Sequence, residues 1–267
     1  MHAFKYHRPS SVKDAAALAK GEAKLLAGGQ TLVQTMKLRL ASPSDIIDLG
    51  TIKELAGIKS DGKSVTVGAM TRHAEVEHSA DVKKAIPALA ALAGMIGDRQ
   101  VRAMGTIGGS LANNDPAADY PAAVLGLRGV VVTDRRHIDA DDFFLGMFTT
   151  ALEPDEIVTA VRFARPKRAA YGKFPHPASG YAMTGVFVAG YDDGEVRVGV
   201  TGAAPVAFRW TQAEEALAAR FAVASVASLE LAPDGLNADM HAPAEYRAGL
   251  ARVLAMRAVA QLTGEAS

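Results

Sequence analysis

Two short glycine-rich segments constrain this chain more than any other feature. The first reads LLAGGQTL (25–32) and the second reads GTIGGSLA (105–112), and in each a Gly-Gly pair is followed within two residues by a hydroxyl side chain. Glycine at this density indicates backbone that turns sharply or passes very close to another group. We therefore expect a tight turn in each segment.

The two expected turns also suit a negatively charged ligand. Backbone N–H groups exposed in a glycine turn form a concavity that binds anions, and Ser or Thr hydroxyls add donors for phosphate oxygens. The usual nucleotide fingerprints are missing, since the chain holds neither a G-x-G-x-x-G nor a G-x-x-x-x-G-K-[ST] motif. Each pair alone is typical of an ordinary structural turn, so the residues allow a phosphate site without requiring one.

The pattern of apolar residues predicts an α+β fold class. Short apolar runs and alternation indicate strands at 25–27, 45–49, 63–70, 129–134 and 157–163, and helical spacing indicates helices at 10–21, 31–40 and 81–96. Ser11 is placed to cap the first helix and Gly21 to end it. Pro87 fits a helix only near its start.

The pattern of predicted strands and helices changes after residue 165. Two strand-like runs, YAMTGVFVAGYD and EVRVGVTGAA, are separated at Asp193-Gly194, a dipeptide that favours a hairpin turn. Helices are expected at about 211–221 and 243–262. The sequence therefore predicts an N-terminal α+β domain over 1–165 and a smaller C-terminal α+β domain over 166–267.

Composition excludes several classes of function. The formal net charge is zero, which argues against a nucleic-acid surface with its clustered basic excess. The chain has no cysteine, so it holds no disulfide, thiolate zinc site or iron–sulfur cluster of its own. No apolar run is long enough to span a bilayer, and the first residues lack an apolar signal core. We expect a cytoplasmic protein.

Other polar groups give weaker indications of a site. His73 and His78 are five residues apart, which is not the spacing of a helical metal pair, and a solvated helix face is the favoured interpretation. Asp141-Asp142 suit the capping of the next turn better than paired acid–base catalysis, because adjacent side chains point in different directions. Ser110 lacks the G-x-S-x-G context of a nucleophile. No catalytic residue and no metal ligand is predicted.

The amino-acid sequences of several segments, and their order along the chain, indicate a function more specifically than the chemistry of their side chains does. LLAGGQTLVQTMKLRLASPSDIIDL followed by GTIGGSLANNDPAADYPAAVLGL resembles the FAD-binding medium subunit of the molybdenum hydroxylases, of the type found in aerobic carbon monoxide dehydrogenase and in the FAD domain of xanthine dehydrogenase. The segments VGAMTRHAEVE, ADDFFLGMFTTALEPDEIV and KFPHPASGYAMTGV are similar to the same family. The resemblance extends to about residue 205.

The resemblance implies a fold, a cofactor and partners. The fold is the vanillyl-alcohol-oxidase (PCMH-type) FAD-binding fold, with subdomains of about 1–55 and 56–165 and a small C-terminal α+β domain of the carbon monoxide dehydrogenase flavoprotein type. A large partner subunit carries the molybdenum–pterin cofactor, and a small partner subunit carries two [2Fe–2S] clusters. The medium subunit receives electrons on FAD and passes them to an external acceptor, and the absence of cysteine agrees with purely flavin redox chemistry in this chain.

The resemblance also implies which residues bind FAD. The first pyrophosphate-binding turn falls on Leu26, Ala27, Gly28, Gly29, Gln30, Thr31 and Leu32. The second falls on Thr106, Ile107, Gly108, Gly109 and Ser110. The side chains of Asn113 and Asn114 after it suit the settling of the local backbone, and Asn114 is also a candidate for contact with FAD. Asp119 matches an acidic position at the cofactor's sugar region, where an ionised carboxylate accepts hydroxyl protons. Ile96, Ile157, Val158 and Lys173 match positions beside the isoalloxazine ring, and Tyr181 lies where an aromatic ring shields one face of the flavin.

One departure from the family and two alternative functions stay open at this point. Many relatives have Gly-Asp before the shielding aromatic, where this chain has Ser179-Gly180. A stand-alone flavin-dependent oxidoreductase of the same fold is the first alternative, although the sequence offers no evident base. An assembly subunit that has lost FAD is the second, and the intact second glycine segment argues against it.

Overall fold

The first part of the chain builds a small parallel sheet. We describe residues 1–266 from a computed structural model, in which β1 (Lys5–His7), β3 (Asp45–Asp48) and β2 (Lys24–Leu26) pair in that order. Helix α1 (Val12–Leu18) begins after Ser11, whose hydroxyl accepts a hydrogen bond from the N–H of Asp14, as expected for a capping residue. Helix α2 (Leu32–Lys37) follows β2, and 3₁₀ turns at Leu49–Thr51 and Lys53–Leu55 lead out of the sheet.

A five-stranded antiparallel sheet forms the middle of the molecule. Its order is β4 (Ile58–Ser60), β5 (Ser64–Gly68), β10 (Val158–Ala164), β6 (Val130–Thr133) and β7 (His137–Asp139). The alternating valines of β5 are fully buried, as their period of two requires of a strand with one face on the core. A short hairpin of β8 (Phe144–Gly146) and β9 (Thr149–Thr150) lies in the long connection from β7 to β10.

Helices pack against this sheet and enclose a core with it. They are α3 (His73–His78), α4 (Ala80–Ala85), α5 (Pro87–Gly94), α6 (Arg99–Met104), α7 (Ile107–Asn113), α8 (Tyr120–Gly126) and α9 (Ala140–Phe143). The helical segment expected at 81–96 is two helices, because the chain breaks at Ile86 and restarts with Pro87 in the first turn of α5. Proline is favoured there since its missing N–H is not needed.

The last part of the chain forms a four-stranded antiparallel sheet covered by helices. The strands run in the order β11 (Arg168–Pro175), β12 (Ala182–Gly190), β13 (Val196–Thr201) and β14 (Phe208–Arg209). The expected hairpin at Asp193-Gly194 is confirmed, with Gly194 at φ +89°. Helices α10 (Thr211–Ala219), α11 (Val223–Ala227) and α12 (Ala244–Thr263) share a second core with this sheet.

The last sheet lies directly on the middle of the molecule. All nine residues of β12 are buried, with α12 on one side and α8 on the other. The backbone of α8 approaches so closely that a Cβ on Gly199 would lie 2.2 Å from the carbonyl oxygen of Ala122. Asp141 was expected to cap a turn, but its carboxylate instead accepts a hydrogen bond from Arg209 at 3.0 Å. Asp141 therefore ties the two parts of the chain together.

These observations confirm the α+β fold class. Helices and strands alternate irregularly along the chain, and both larger sheets are antiparallel. Within residues 1–266, the helices include none with the length and apolar character needed to cross a membrane.

Candidate functional site

One large cavity lies where the three parts of the chain meet. Its volume is about 850 Å³, within the size range of ligand pockets, and its lining includes residues of both glycine segments, the loop before β10 and the loop before β12. Of the nineteen residues predicted to bind FAD, the cavity is lined by Ala27, Gly28, Gly29, Gln30, Thr31, Leu32, Ile96, Thr106, Gly108, Gly109, Ser110, Asp119, Ile157, Val158 and Tyr181.

The first glycine segment is a tight turn between β2 and α2, as the sequence predicts. Gly29 has φ +72°, a left-handed conformation that side chains other than glycine seldom adopt. The backbone N–H groups of residues 28–32 have no hydrogen-bond acceptor among residues 1–266. Five successive donors are thus left at the start of α2, on the wall of the cavity.

The second glycine segment is helical, so the expectation of a second turn is wrong. Gly108 and Gly109 lie in the first turn of α7, which begins after Thr106. The N–H of Gly108 donates to the carbonyl of Ala69 at 2.9 Å, and the N–H of Gly109 donates to the Thr106 hydroxyl at 3.2 Å. These amides already have acceptors, and the hydroxyls of Thr106 and Ser110 are the side-chain groups of this segment that can donate to a ligand.

Close contacts within the protein explain three of the glycines. A Cβ on Gly28 would lie 2.1 Å from the carbonyl oxygen of Met104, and one on Gly108 would lie 2.5 Å from the Cβ of Ala69. A Cβ on Gly105 would lie 2.6 Å from the His73 ring. Gly109 differs, because its nearest neighbours would be the Thr106 hydroxyl at 3.0 Å and Ala27 at 3.5 Å. Gly28 thus brings the two segments into contact, and Gly109 faces the space between them.

Asp119 is a buried carboxylate on the cavity wall. Lys173 lies 2.9 Å from Oδ1 and donates to Oδ2 at 3.0 Å, and the Tyr171 hydroxyl donates to Oδ1 at 2.6 Å. Burial raises the pKa of Asp119 above its ordinary value, and Lys173 and Tyr171 oppose that effect. Lys173 is itself almost fully buried and also donates to the carbonyl of Met95, so its ammonium is committed to the protein.

Apolar residues and one tyrosine line the rest of the cavity. Ile157 and Val158 are buried at the start of β10, and Ile96 is half-buried beyond the end of α5. Tyr181 is 50% exposed at the end of the loop before β12, where Gly180 has φ +71°. These side chains give one region of the cavity an apolar wall with a single aromatic ring.

Four of the predicted residues do not line the cavity. Leu26 ends β2, Ile107 is fully buried in the core, and Lys173 lies behind Asp119. Asn114 is left-handed at φ 43°, and its amide donates to the carbonyls of Gly146 and Thr149, both at 2.8 Å. Asn114 therefore holds the β8–β9 hairpin and is directed away from the cavity.

His73 is a cavity residue that the sequence interpretation missed. It is 5% exposed, so the expected solvated helix face is wrong at this position, and its ring packs on Tyr120 at 5.3 Å between centroids. Burial, with a smaller contribution from Arg102, lowers its pKa to about 4, so the ring is neutral near pH 7. The residues 1–266 contain no cluster of three or more side chains suited to a metal. The sequence held no signal for this burial, because Gly105 and Tyr120, which both lie against the ring, are distant from His73 along the chain.

Comparison with known proteins agrees with this geometry. The family described as "FAD binding domain in molybdopterin dehydrogenase" matches residues 2–166. The nicotine 6-hydroxylase medium subunit of Paenarthrobacter nicotinovorans is 36% identical over 97% of both chains. The carbon monoxide dehydrogenase medium chain of Hydrogenophaga pseudoflava is 35% identical over 96% of both.

Solved structures show the same fold along the whole chain. Reconstituted carbon monoxide dehydrogenase from Oligotropha carboxidovorans superposes with a TM-score of 0.88 and 33% identity, over 99% of each chain. Quinoline 2-oxidoreductase from Pseudomonas putida 86 gives 0.87 with 25% identity, over 97% of this chain and 96% of that one. The expected fold is confirmed, and this chain belongs to the family of FAD-binding medium subunits of the molybdenum hydroxylases.

Proposed function

We propose that this chain binds FAD in the cavity and transfers electrons within a heteromeric molybdenum hydroxylase. It would accept electrons from the [2Fe–2S] clusters of a small subunit and pass them to an external acceptor, while a large subunit with a molybdenum–pterin cofactor oxidises the substrate. One observation carries the proposal: the five N–H groups of residues 28–32, which have no acceptor within residues 1–266, line the same cavity as the hydroxyls of Thr106 and Ser110.

These donors fit a diphosphate. Backbone N–H groups at the start of a helix bind phosphate, and hydrogen bonds to a charged group each contribute about 1.5–3 kcal/mol net. The backbone of residues 28–32 also packs tightly on another part of the protein, because Gly28 has no room for a side chain against the backbone of Met104. The backbone there is held in place by contacts that are independent of any ligand.

The rest of the cavity fits the remaining parts of FAD. The Asp119 carboxylate would accept hydrogen bonds from hydroxyl or ring N–H groups, and Ile96, Ile157, Val158 and Tyr181 would exclude water from the flavin ring. FAD, when bound, supplies the acceptance and release of electrons. The protein binds, orients and shields the cofactor, and we assign no proton-transfer step to a side chain.

The substrate of the complex is determined by another subunit under this proposal. The relatives are named for nicotine hydroxylation, for carbon monoxide oxidation and, at 31% identity over 96% of the chain, for glyceraldehyde oxidation. Similarity along nearly the full chain across such different substrates indicates that a medium subunit serves a step that all these reactions share.

We also propose the domain division at 165–166 and a cytoplasmic location. The family match ends at residue 166, and the last sheet begins at Arg168, which supports the division. The subdomains of about 1–55 and 56–165 are supported by the three-stranded sheet within 5–48 and the five-stranded sheet within 58–164. Separate expression of 1–165 would test the first boundary, and fractionation of the native host would test the location.

The function is tested by FAD content and by the partners that co-purify. The chain is expressed with its neighbouring subunits, the complex is denatured, and released FAD, molybdenum and iron are measured per chain. We expect about one FAD per medium subunit and electron transfer to a dye only in the complex. A well-folded complex without flavin would refute the proposal, and substrate turnover by the isolated chain would favour a stand-alone oxidoreductase.

A matched pair of variants ties the FAD content to the cavity. Gly109→Val places a branched side chain between Ala27 and Thr106, and we expect loss of FAD with retention of the fold. Gly249→Val makes the same change in α12, where nothing lies within 4 Å, and should keep its FAD. Equal FAD content in both variants would contradict the placement of the diphosphate between the two segments.

A further inference from the structure

The contacts of Asp119 are divided unequally between its two oxygens. Oδ1 lies within hydrogen-bond distance of both the Tyr171 hydroxyl (2.6 Å) and the Lys173 ammonium (2.9 Å), whereas Oδ2 accepts a hydrogen bond from Lys173 alone, at 3.0 Å, among residues 1–266. A carboxylate oxygen has two acceptor sites. Oδ2 is therefore the oxygen with acceptor capacity left for a ligand in the cavity.

Strand β11 presents Tyr171 and Lys173 to this carboxylate together. The two residues are two positions apart, so their side chains lie on one face of the strand. Tyr171 pairs with Phe187 of β12. Gly185, two residues before Phe187 on the same strand, has no side chain to fill the space beside the Tyr171 ring. A Cβ on Gly185 would lie 2.3 Å from the Tyr171 hydroxyl, which occupies the volume that this glycine leaves.

Lysine alone would balance the charge of Asp119 but would not fix the orientation of the carboxylate. An ammonium group has three rotatable donors on a flexible stem, and here one donor is also used by Met95. The Tyr171 ring is held by burial and by Phe187 at 6.1 Å, so its hydroxyl has a fixed direction. Tyr171 thus restrains the orientation of the Asp119 carboxylate.

We propose that Tyr171 is a positioning residue for FAD, which acts through Asp119 by occupying Oδ1 and leaving Oδ2 to accept a hydrogen bond from the cofactor. The proposal rests on the function proposed above. It also changes the role predicted for Lys173, which supports Asp119 from behind the cavity wall and has no contact of its own with the ligand.

The pH dependence of binding separates this role from a merely structural one. The other titratable groups near Asp119 include Tyr120, which follows it, His73, which packs on Tyr120 and has a pKa of about 4, and Tyr181 with Asp115 beside it. Burial raises the pKa values of Tyr120, Tyr171 and Tyr181, so none of them titrates between about pH 5 and pH 8. A loss of affinity that moves in this range on removal of the Tyr171 hydroxyl would therefore report on Asp119.

The test uses Tyr171→Phe in the assembled complex, with Tyr191→Phe as the matched control. Tyr191 is also buried, and its hydroxyl donates to the carbonyl of Gly126, away from the cavity. FAD is removed and titrated back at several pH values while its absorption spectrum is recorded. For Tyr171→Phe we expect the Kd for FAD to rise about tenfold, which corresponds to ~1.4 kcal/mol, and the loss of affinity in acid to begin at higher pH.

Two further variants keep the result decisive. Asp119→Asn should abolish the effect of Tyr171→Phe, so that the double variant binds FAD as Asp119→Asn does. Gly185→Ala displaces the hydroxyl without removing the ring and should weaken FAD binding in the same direction. Unchanged Kd and pH profile in Tyr171→Phe would overturn the positioning role, whereas failure of the unaltered complex to bind FAD would refute the proposed function itself.

Discussion

The adjacent glycines Gly108 and Gly109 should respond in opposite ways to the same substitution. A methyl group on Gly108 would lie 2.5 Å from the Cβ and 2.8 Å from the carbonyl oxygen of Ala69, which accepts the hydrogen bond of Gly108. A methyl group on Gly109 would meet only the Thr106 hydroxyl at 3.0 Å and Ala27 at 3.5 Å. The first change forces backbone apart, and the second extends into the cavity.

The magnitudes follow from packing, hydrogen bonding and helix propensity. Overpacking at Gly108→Ala costs about 1–3 kcal/mol, and a weakened hydrogen bond to Ala69 costs about 1 kcal/mol. The replacement of a helical glycine by alanine returns about 1 kcal/mol. We therefore expect Gly108→Ala to lower the free energy of unfolding by about 2 kcal/mol and the Tm by about 4–8 °C. Gly109→Ala should leave both nearly unchanged, because the same gain of about 1 kcal/mol is offset by the close approach of the methyl group to the Thr106 hydroxyl, which accepts the Gly109 N–H.

Two measurements on flavin-free and FAD-loaded protein test this contrast. Urea unfolding of the flavin-free protein gives the stability of each variant, and titration with FAD gives its Kd. We expect the stability loss in Gly108→Ala and the larger loss of FAD affinity in Gly109→Ala. If Gly109→Ala binds FAD as tightly as the unaltered chain, the space beside Gly109 is not where the diphosphate lies and the reasoning is refuted.

Three further outcomes follow from the site and its surroundings. The Kd for FAD should change by less than about threefold between low and high salt, because neutral N–H groups and hydroxyls hold the diphosphate. Lys24 is the only lysine or arginine on the cavity wall within residues 1–266. A steep salt dependence of the Kd in a titration would contradict this prediction. His73 has a pKa of about 4 in the folded chain against 6.5 when exposed, so its ring binds a proton more readily in the unfolded chain and acid destabilises the fold. In urea unfolding, His73→Gln should therefore remove about 2 kcal/mol of the difference in stability between pH 7 and pH 5. Asn114→Ala should raise amide hydrogen exchange in residues 144–150 well above that in Asn113→Ala, since two hydrogen bonds to the hairpin are lost, and equal exchange in both variants would argue against that anchor.

The sequence predicts those features of the site that depend on local chemistry. The apolar run before Gly28-Gly29 predicts the strand, and the glycine pair predicts the left-handed turn, because only glycine accepts φ +72° easily. The Asp193-Gly194 hairpin follows from the same kind of local preference. The identity of the ligand was predicted differently, because the amino-acid sequence and order of the segments resembled those of a known family. The chemistry of the residues alone allowed only a phosphate site.

The features that escaped prediction depend on contacts between distant parts of the chain. Thr106 caps α7, and Ile107 and Leu111 bury one face of that helix, so the second Gly-Gly pair is helical in spite of the poor helix propensity of glycine. Asn114 carries a side chain that suits phosphate contact, yet its αL backbone turns it toward the hairpin. No local pattern distinguishes these outcomes from the expected ones.

Glycine density in this chain therefore has two separate causes. Gly28, Gly105 and Gly108 let backbone and the His73 ring meet at distances that exclude a Cβ, and so bring the two segments together. Gly29 and Gly109 serve the cavity in other ways: Gly29 takes up the left-handed turn at φ +72°, and a Cβ on Gly109 would extend toward Ala27 and the Thr106 hydroxyl. Close packing of the first group fixes the position of the second, because a wall held by backbone contact cannot move away from a ligand. The cavity is thus preformed by the same glycines that the sequence displays, and the cost of ordering a binding loop is met when the chain folds.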